Sequence, residues 1–118
     1  LKNLCDSLGN ESVIAMGDFN DVPDASSFEI IEGTLENKGR HLHEKGEGTI
    51  RYEGRWQLID MFMVSPSLSL RTEMEICPVP FLMVRERKHP GLKPFRTYSG
   101  PRYIGGVSDH CPVVLTVK

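Results

Sequence analysis

The segment Leu58–Val64, LIDMFMV, constrains this chain more than any other. In an extended strand alternate side chains point to opposite faces. Leu58, Asp60, Phe62 and Val64 therefore share one face, and Ile59, Met61 and Met63 the other. Both faces are apolar apart from a single carboxylate. Val13–Met16 reads the same way, as a short apolar strand buried on both faces and ended by Gly17. A sheet built from such strands has to be covered above and below. Leu1, Leu4, Cys5 and Leu8 make one apolar stripe of a helix stopped by Gly9-Asn10. Ser26 and Glu29 have the spacing of a capping box, ahead of a second helix with Phe28, Ile31 and Leu35 on its apolar side. These two helices can cover one face. The other face requires a second copy of the chain or a further segment.

The remaining chain is read around that sheet. Thr34–Gly48 is polar and is expected as a surface connection. Thr49–Tyr52 is a short strand turned by Glu53-Gly54. Thr72–Val79, with prolines at 78 and 80, is an edge strand, and Val113–Val117 is the last strand. Arg85–Gly106 is rich in Gly, Pro and basic residues and is expected as one long loop. The 118 residues are read as a single domain, 1–118, of mixed α/β (α+β) character. No apolar run approaches the roughly 20 residues needed to span a bilayer. A net charge of −2 gives no global attraction to a polyanion, so any such ligand needs a local patch or a metal. Cys5, Cys77 and Cys111 are odd in number and widely spaced, which suggests small buried side chains and not a zinc site or disulfide framework.

Three polar clusters interrupt these apolar elements. Gly17-Asp18-Phe19-Asn20 ends a strand, Asp60 lies within one, and Ser108-Asp109-His110 precedes the last. Each alone has a structural explanation: an Asx turn, a satisfied core carboxylate, a plain loop. A carboxylate inside an apolar strand nevertheless needs a partner, and His110 is the obvious candidate. Strand ends converge along one sheet edge, where such side chains can meet around a phosphate and a cation.

The strings MGDFND, RWQLIDMFMVS and GGVSDHCPVV, in that order, resemble the last three motifs of the endonuclease/exonuclease/phosphatase superfamily, over Gly17–Val114. The resemblance implies half of a four-layer αββα DNase I-like sandwich, a mainly antiparallel sheet with helices on one face. It implies phosphoester hydrolysis by activated water. Asp18 would orient or deprotonate the water, and Asn20 would hydrogen-bond the phosphate. Asp60 would fix the tautomer of His110, which would donate to a phosphate oxygen. Asp109 would contribute to a site for Mg²⁺ or Mn²⁺. Arg55, Trp56 and Arg96 are candidate substrate contacts, with packing the favoured role for Trp56.

One part of the family pattern is missing. The superfamily's first half carries a Gln-Glu motif whose Glu is a principal metal ligand, and Gln57 is the only glutamine here. The expected partners are therefore the N-terminal half of the same domain, or a homodimer through the uncovered sheet face. The expected substrate is a phosphate ester: nucleic acid, an inositol phosphate or a phospholipid headgroup. The alternative is a non-catalytic module that dimerises or binds a partner while retaining the fold. His41-x-His43 suggests no metal site without further ligands. The basic stretch Arg85, Arg87, Lys88, Lys93, Arg96 and Arg102, opposed only by Glu86, either faces water or steers an anion.

Overall fold

The computed structural model describes residues 1–9 and 11–118. Helix α1 (Lys2–Leu8) leads into strand β1 (Ile14–Asp18) and a 3₁₀ helix at Ser26–Ile31. Strand β2 (Glu36–Asn37), helix α2 (Arg40–Glu44), and strands β3 (Ile50–Tyr52), β4 (Arg55–Gln57) and β5 (Asp60–Val64) follow. A 3₁₀ helix at Pro66–Arg71 precedes β6 (Thr72–Ile76), and another at Pro80–Leu82 precedes β7 (Met83–Arg85). The chain ends with β8 (Leu92–Pro94), β9 (Tyr98–Ser99), β10 (Arg102–Tyr103) and β11 (Val113–Val117). Mostly antiparallel sheet with a few short helices, it is an α+β fold. No helix among the described residues is long and apolar enough to cross a membrane.

Strand β5 is the centre of the molecule, as its two apolar faces require. It pairs antiparallel with β1 along its whole length, and with β2 only at Met63 and Val64. Leu58, Met61 and Val64 are fully buried, and Met63 nearly so. Ile31, Leu35, Leu42 and Met74 join Leu58, Met61 and Met63 in one core. A side chain of this kind contributes about 1.5–3 kcal/mol when fully buried, so β5 anchors the fold. Strand β11 pairs with β6, with Leu115 opposite Met74, and runs close to β5. Because β2 reaches only one end of β5, the flank beside Asp60 on that side has no ladder partner.

Strand β1 departs from expectation. Ile14 is 39% and Met16 69% exposed, so this strand is not buried on both faces. It is an edge strand, and its residues Ile14, Met16 and Asp18 stand opposite Val64, Phe62 and Asp60. Among the described residues, Met16 is left largely uncovered. The α1 stripe is likewise only partly used: Cys5 is buried, whereas Leu1, Leu4 and Leu8 are exposed. Gly9 stops the helix at φ 64°; Asn10, the other expected stop residue, lies outside the described residues.

The second helix is a 3₁₀ helix beginning after Ala25, and Ser26 makes no capping hydrogen bond. Ser27 Oγ instead donates to Asp21 Oδ2 at 3.0 Å, which ties the start of the helix to the preceding loop. The polar stretch 34–48 is not a plain connection, since it holds β2 and α2, with Leu42 buried. The expected loop 85–106 is in fact two hairpins, β7–β8 and β9–β10. Its Gly and Pro residues mark the tips at Pro90-Gly91 and Gly100-Pro101, and its strands are too short to show alternation.

Arg51 fastens the first of these hairpins to the rest. Its Nε donates to Glu86 Oε2 at 2.5 Å, its guanidinium donates to the Pro90 carbonyl, and it sits 5.4 Å from the Trp56 ring centre. Gly106 fixes the second. A Cβ there would lie 2.0 Å from the Phe95 carbonyl oxygen, so only glycine lets residues 106–107 bond back to Arg96 and Phe95.

Candidate active site

The polar clusters separated in sequence meet at one end of the β1–β5 ladder. Asp18 is the last residue of β1 and Asp60 the first of β5, directly opposed in register. His110 arrives from the other side, on the segment before β11. Its Nδ1 is 2.7 Å from Asp60 Oδ2. One ligand atom from each of Asp18, Asp60 and His110 can be chosen so that all lie within 4.8 Å of one another.

Local backbone bonds aim each side chain. Beyond Asp18 the chain turns sharply: the Asn20 N–H donates to Asp18 Oδ1 at 2.8 Å, and Asn20 takes a left-handed φ of 53°. This is an Asx turn, and it leaves Asp18 Oδ2 facing outward from the loop's own bonding. Phe19 wedges against Phe28, ring centres 5.9 Å apart, while its N–H donates to the Ile59 carbonyl. The His110 N–H donates to Ser108 Oγ at 3.0 Å. His110 also bridges to Ile50, and the Cys111 N–H donates to the Thr49 carbonyl at 2.7 Å.

Thr49 went unnoticed in the sequence and is central here. It is fully buried, its N–H bonds Gln57, its carbonyl receives Cys111, and its Oγ1 accepts from Ile59 at 3.4 Å. One residue thus ties the β3–β4 hairpin, the start of β5 and the histidine segment together. Gly48 beside it has no room for a Cβ, which would meet Gln57 N at 2.5 Å. A Thr flanked by Gly before a β-hairpin was the available signal, but its partners are remote in sequence.

The Asp60 and His110 side chains are 16% and 24% exposed, so their bond is shielded from bulk water. With Asp60 as a carboxylate, Nδ1–H is the donor, and Nε2 is left free of that bond. Asp109 Oδ1 is 3.7 Å from that Nε2 and lies outside the three-residue group. Arg96 lines a cleft of about 310 Å³ with Tyr98, Ser108 and Asp109, beside the histidine. Arg55 is elsewhere, lining a cleft with Lys88 and His89. Trp56 packs half-buried near Gly48, Ile76 and Cys111. His41 and His43 are on α2, where His43 Nε2 meets Asp24 at 3.0 Å.

Burial, and secondarily the negative charge of Asp60, pushes the Cys111 thiol above its ordinary range. Cys5 and Cys111 are buried and Cys77 half-buried, all as free thiols.

The donor set suits a hard divalent cation. Mg²⁺ is commonly held by one or two carboxylates with its remaining positions filled by water or phosphate oxygens. Asp18 and Asp60 present two carboxylates side by side, and Asp109 is a third nearby. Two opposed carboxylates repel, and a cation between them offsets that cost.

The model of the endonuclease/exonuclease/phosphatase family matches residues 1–118. No curated protein and no solved structure gives a match.

Proposed function

The chain belongs to the endonuclease/exonuclease/phosphatase family, and from that membership we propose that the Asp18–Asp60–His110 group hydrolyses a phosphodiester or phosphomonoester bond by attack of activated water. The observation carrying this reading is the 2.7 Å pairing of His110 Nδ1 with Asp60, directly opposite Asp18. Asp60 holds the imidazole in one tautomer and orientation, so that Nε2 can donate to a phosphate oxygen as charge accumulates. Asp18 aligns the water and accepts its proton. Asn20, held at the turn, hydrogen-bonds the phosphate, and Arg96 supplies positive charge beside it. Asp18 and Asp60 would hold Mg²⁺ or Mn²⁺, which when bound neutralises phosphate charge and stabilises the leaving oxygen; Asp109, outside that group, would contribute from beside the His110 Nε2. The substrate is a phosphate ester of the nucleic-acid, inositol phosphate or phospholipid-headgroup kind.

A second reading rests on Ile14 and Met16. These apolar side chains share the face that bears Asp18 and Asp60 and are open to solvent. We propose that this face receives the N-terminal half of the family domain, or a second copy of the chain. A non-catalytic, partner-binding module would use the same surface.

The deciding experiment is hydrolysis of bis-p-nitrophenyl phosphate and of plasmid DNA with Mg²⁺ or Mn²⁺, for the chain alone and with the N-terminal half of the domain. Metal-dependent turnover abolished by His110→Ala supports the enzyme. Absence of turnover in both preparations favours the partner-binding module.

A further inference from the structure

The two hairpins between residues 83 and 103 enclose a cleft of about 440 Å³ lined by Arg85, Arg87, Lys93 and Arg102, with Ser99 and Phe95. No acidic residue lines it. The one carboxylate of the stretch, Glu86, is held by Arg51. Among the described residues, none of the four cations has a carboxylate within ion-pair distance, whereas the cations Lys2, Lys38, Arg40 and Arg51 do. Positive charges gathered along one cleft repel one another, in a chain whose net charge is −2. Such a grouping is stabilised by a bound anion.

The cleft is distinct from the candidate active site. On the β9–β10 ribbon, Ser99 pairs with Arg102 and Tyr98 with Tyr103. Neighbouring residues on a strand face opposite ways. Ser99 and Arg102 therefore line the basic cleft on one face. Tyr98, edge-on to Tyr103, lies on the other face with Arg96 and Asp109. Arg102, in the basic cleft, and Tyr98, in the cleft that holds Asp109, thus face opposite sides of one ribbon.

We propose that the cleft between the two hairpins is a binding site for a phosphate-bearing anion, separate from the centre that would cleave one. The guanidinium fork matches phosphate oxygens two at a time, and three of the four cations are arginines. Phe95 gives the cleft an apolar wall. The phosphate can belong to a nucleic-acid strand or to a small phosphorylated compound, since both present the same group.

The test is calorimetric titration of the chain with pyrophosphate and, separately, with a short oligothymidylate. EDTA is present throughout, so that no cation at the carboxylates can recruit either probe. Because binding is the readout, failure here is separable from failure of the hydrolytic reading. The expected result is saturable binding that weakens by at least about tenfold in Arg87→Gln/Arg102→Gln, a double variant of two exposed residues. The variant Lys45→Gln, at an exposed cation lining neither cleft, is expected to bind like the parent. Circular dichroism verifies that all three proteins are folded. Oligothymidylate binding that is much tighter than that of pyrophosphate and falls steeply with salt assigns the site to a strand. Equal or tighter pyrophosphate binding assigns it to a small phosphorylated ligand. No saturable binding of either probe, or equal weakening in Lys45→Gln, overturns the proposal.

Discussion

Asp18 and Asp60 stand directly opposite each other across the β1–β5 ladder, two carboxylates on one face of the sheet. Like charges so placed destabilise by roughly 0.2–1 kcal/mol. Asp18→Asn is therefore expected to raise the melting temperature in EDTA, by a few degrees at most. The same change is expected to reduce the stabilisation that Mg²⁺ confers on the parent. A ligand at a hundred times its dissociation constant stabilises by about 2.7 kcal/mol, well within reach of thermal melts. Equal Mg²⁺ shifts in both proteins would remove Asp18 from the cation-holding group.

The Asp60–His110 bond makes a kinetic prediction. An amide at position 60 donates where the carboxylate accepts, so Asp60→Asn reverses the preferred tautomer of His110. In whichever preparation turns over, kcat is expected to fall about 10²–10⁴-fold, with KM little changed. His110→Ala should cost at least as much, and the double variant little more than His110→Ala. Independent, multiplying losses in the steady-state kinetics would mean that the two residues do not act as a unit.

Cys111 offers a chemical readout of the same neighbourhood. Its thiol is pushed up by burial and by the Asp60 charge, so it holds less thiolate than an ordinary cysteine at mildly alkaline pH. Mass-spectrometric mapping of iodoacetamide adducts should find Cys77 modified ahead of Cys111. Asp60→Asn removes the second cause and should speed Cys111 labelling. The raised value also sets a stability window. The contribution is complete below the ordinary thiol pKa of about 8.5 and is lost as pH rises through the higher folded value.

Met16, 69% exposed on the edge strand, gives the assembly prediction. Met16→Glu is expected to leave the stability of the isolated chain within about 0.5 kcal/mol of the parent, because little packing is lost. It should nevertheless abolish association with a second copy or with the N-terminal half. Sedimentation velocity across a concentration series checks this. Association that survives Met16→Glu would place the covering partner elsewhere.

How much of this was legible beforehand depended on the range of the forces involved. β5 was readable because its own side chains state that both faces are buried, and the Asp60–His110 pairing followed from one carboxylate needing a partner. β1 misled because its apolar pattern describes what the strand is suited to, whereas Ile14 and Met16 remain exposed among the described residues. The two hairpins of 85–106 were invisible because strands of two or three residues carry no periodicity. The second is fixed by Gly106 approaching the Phe95 carbonyl, a contact remote from its own strands' pattern. Thr49 was missed for a related reason: its value lies in bonds to Gln57, Ile59 and Cys111, and only the folded chain brings the last of these near.

Arg51 has a consequence beyond holding a hairpin. The residue before it, Ile50, bridges to His110, and its own guanidinium grips Glu86, which stands between Arg85 and Arg87. Met83, at the root of the same hairpin, is 3.8 Å from the sulfur of Cys111. The proposed anion cleft and the His110 segment are thus joined at two points. A ligand that drew the cleft arginines together would bear on Arg51, next in sequence to the residue that bridges to His110.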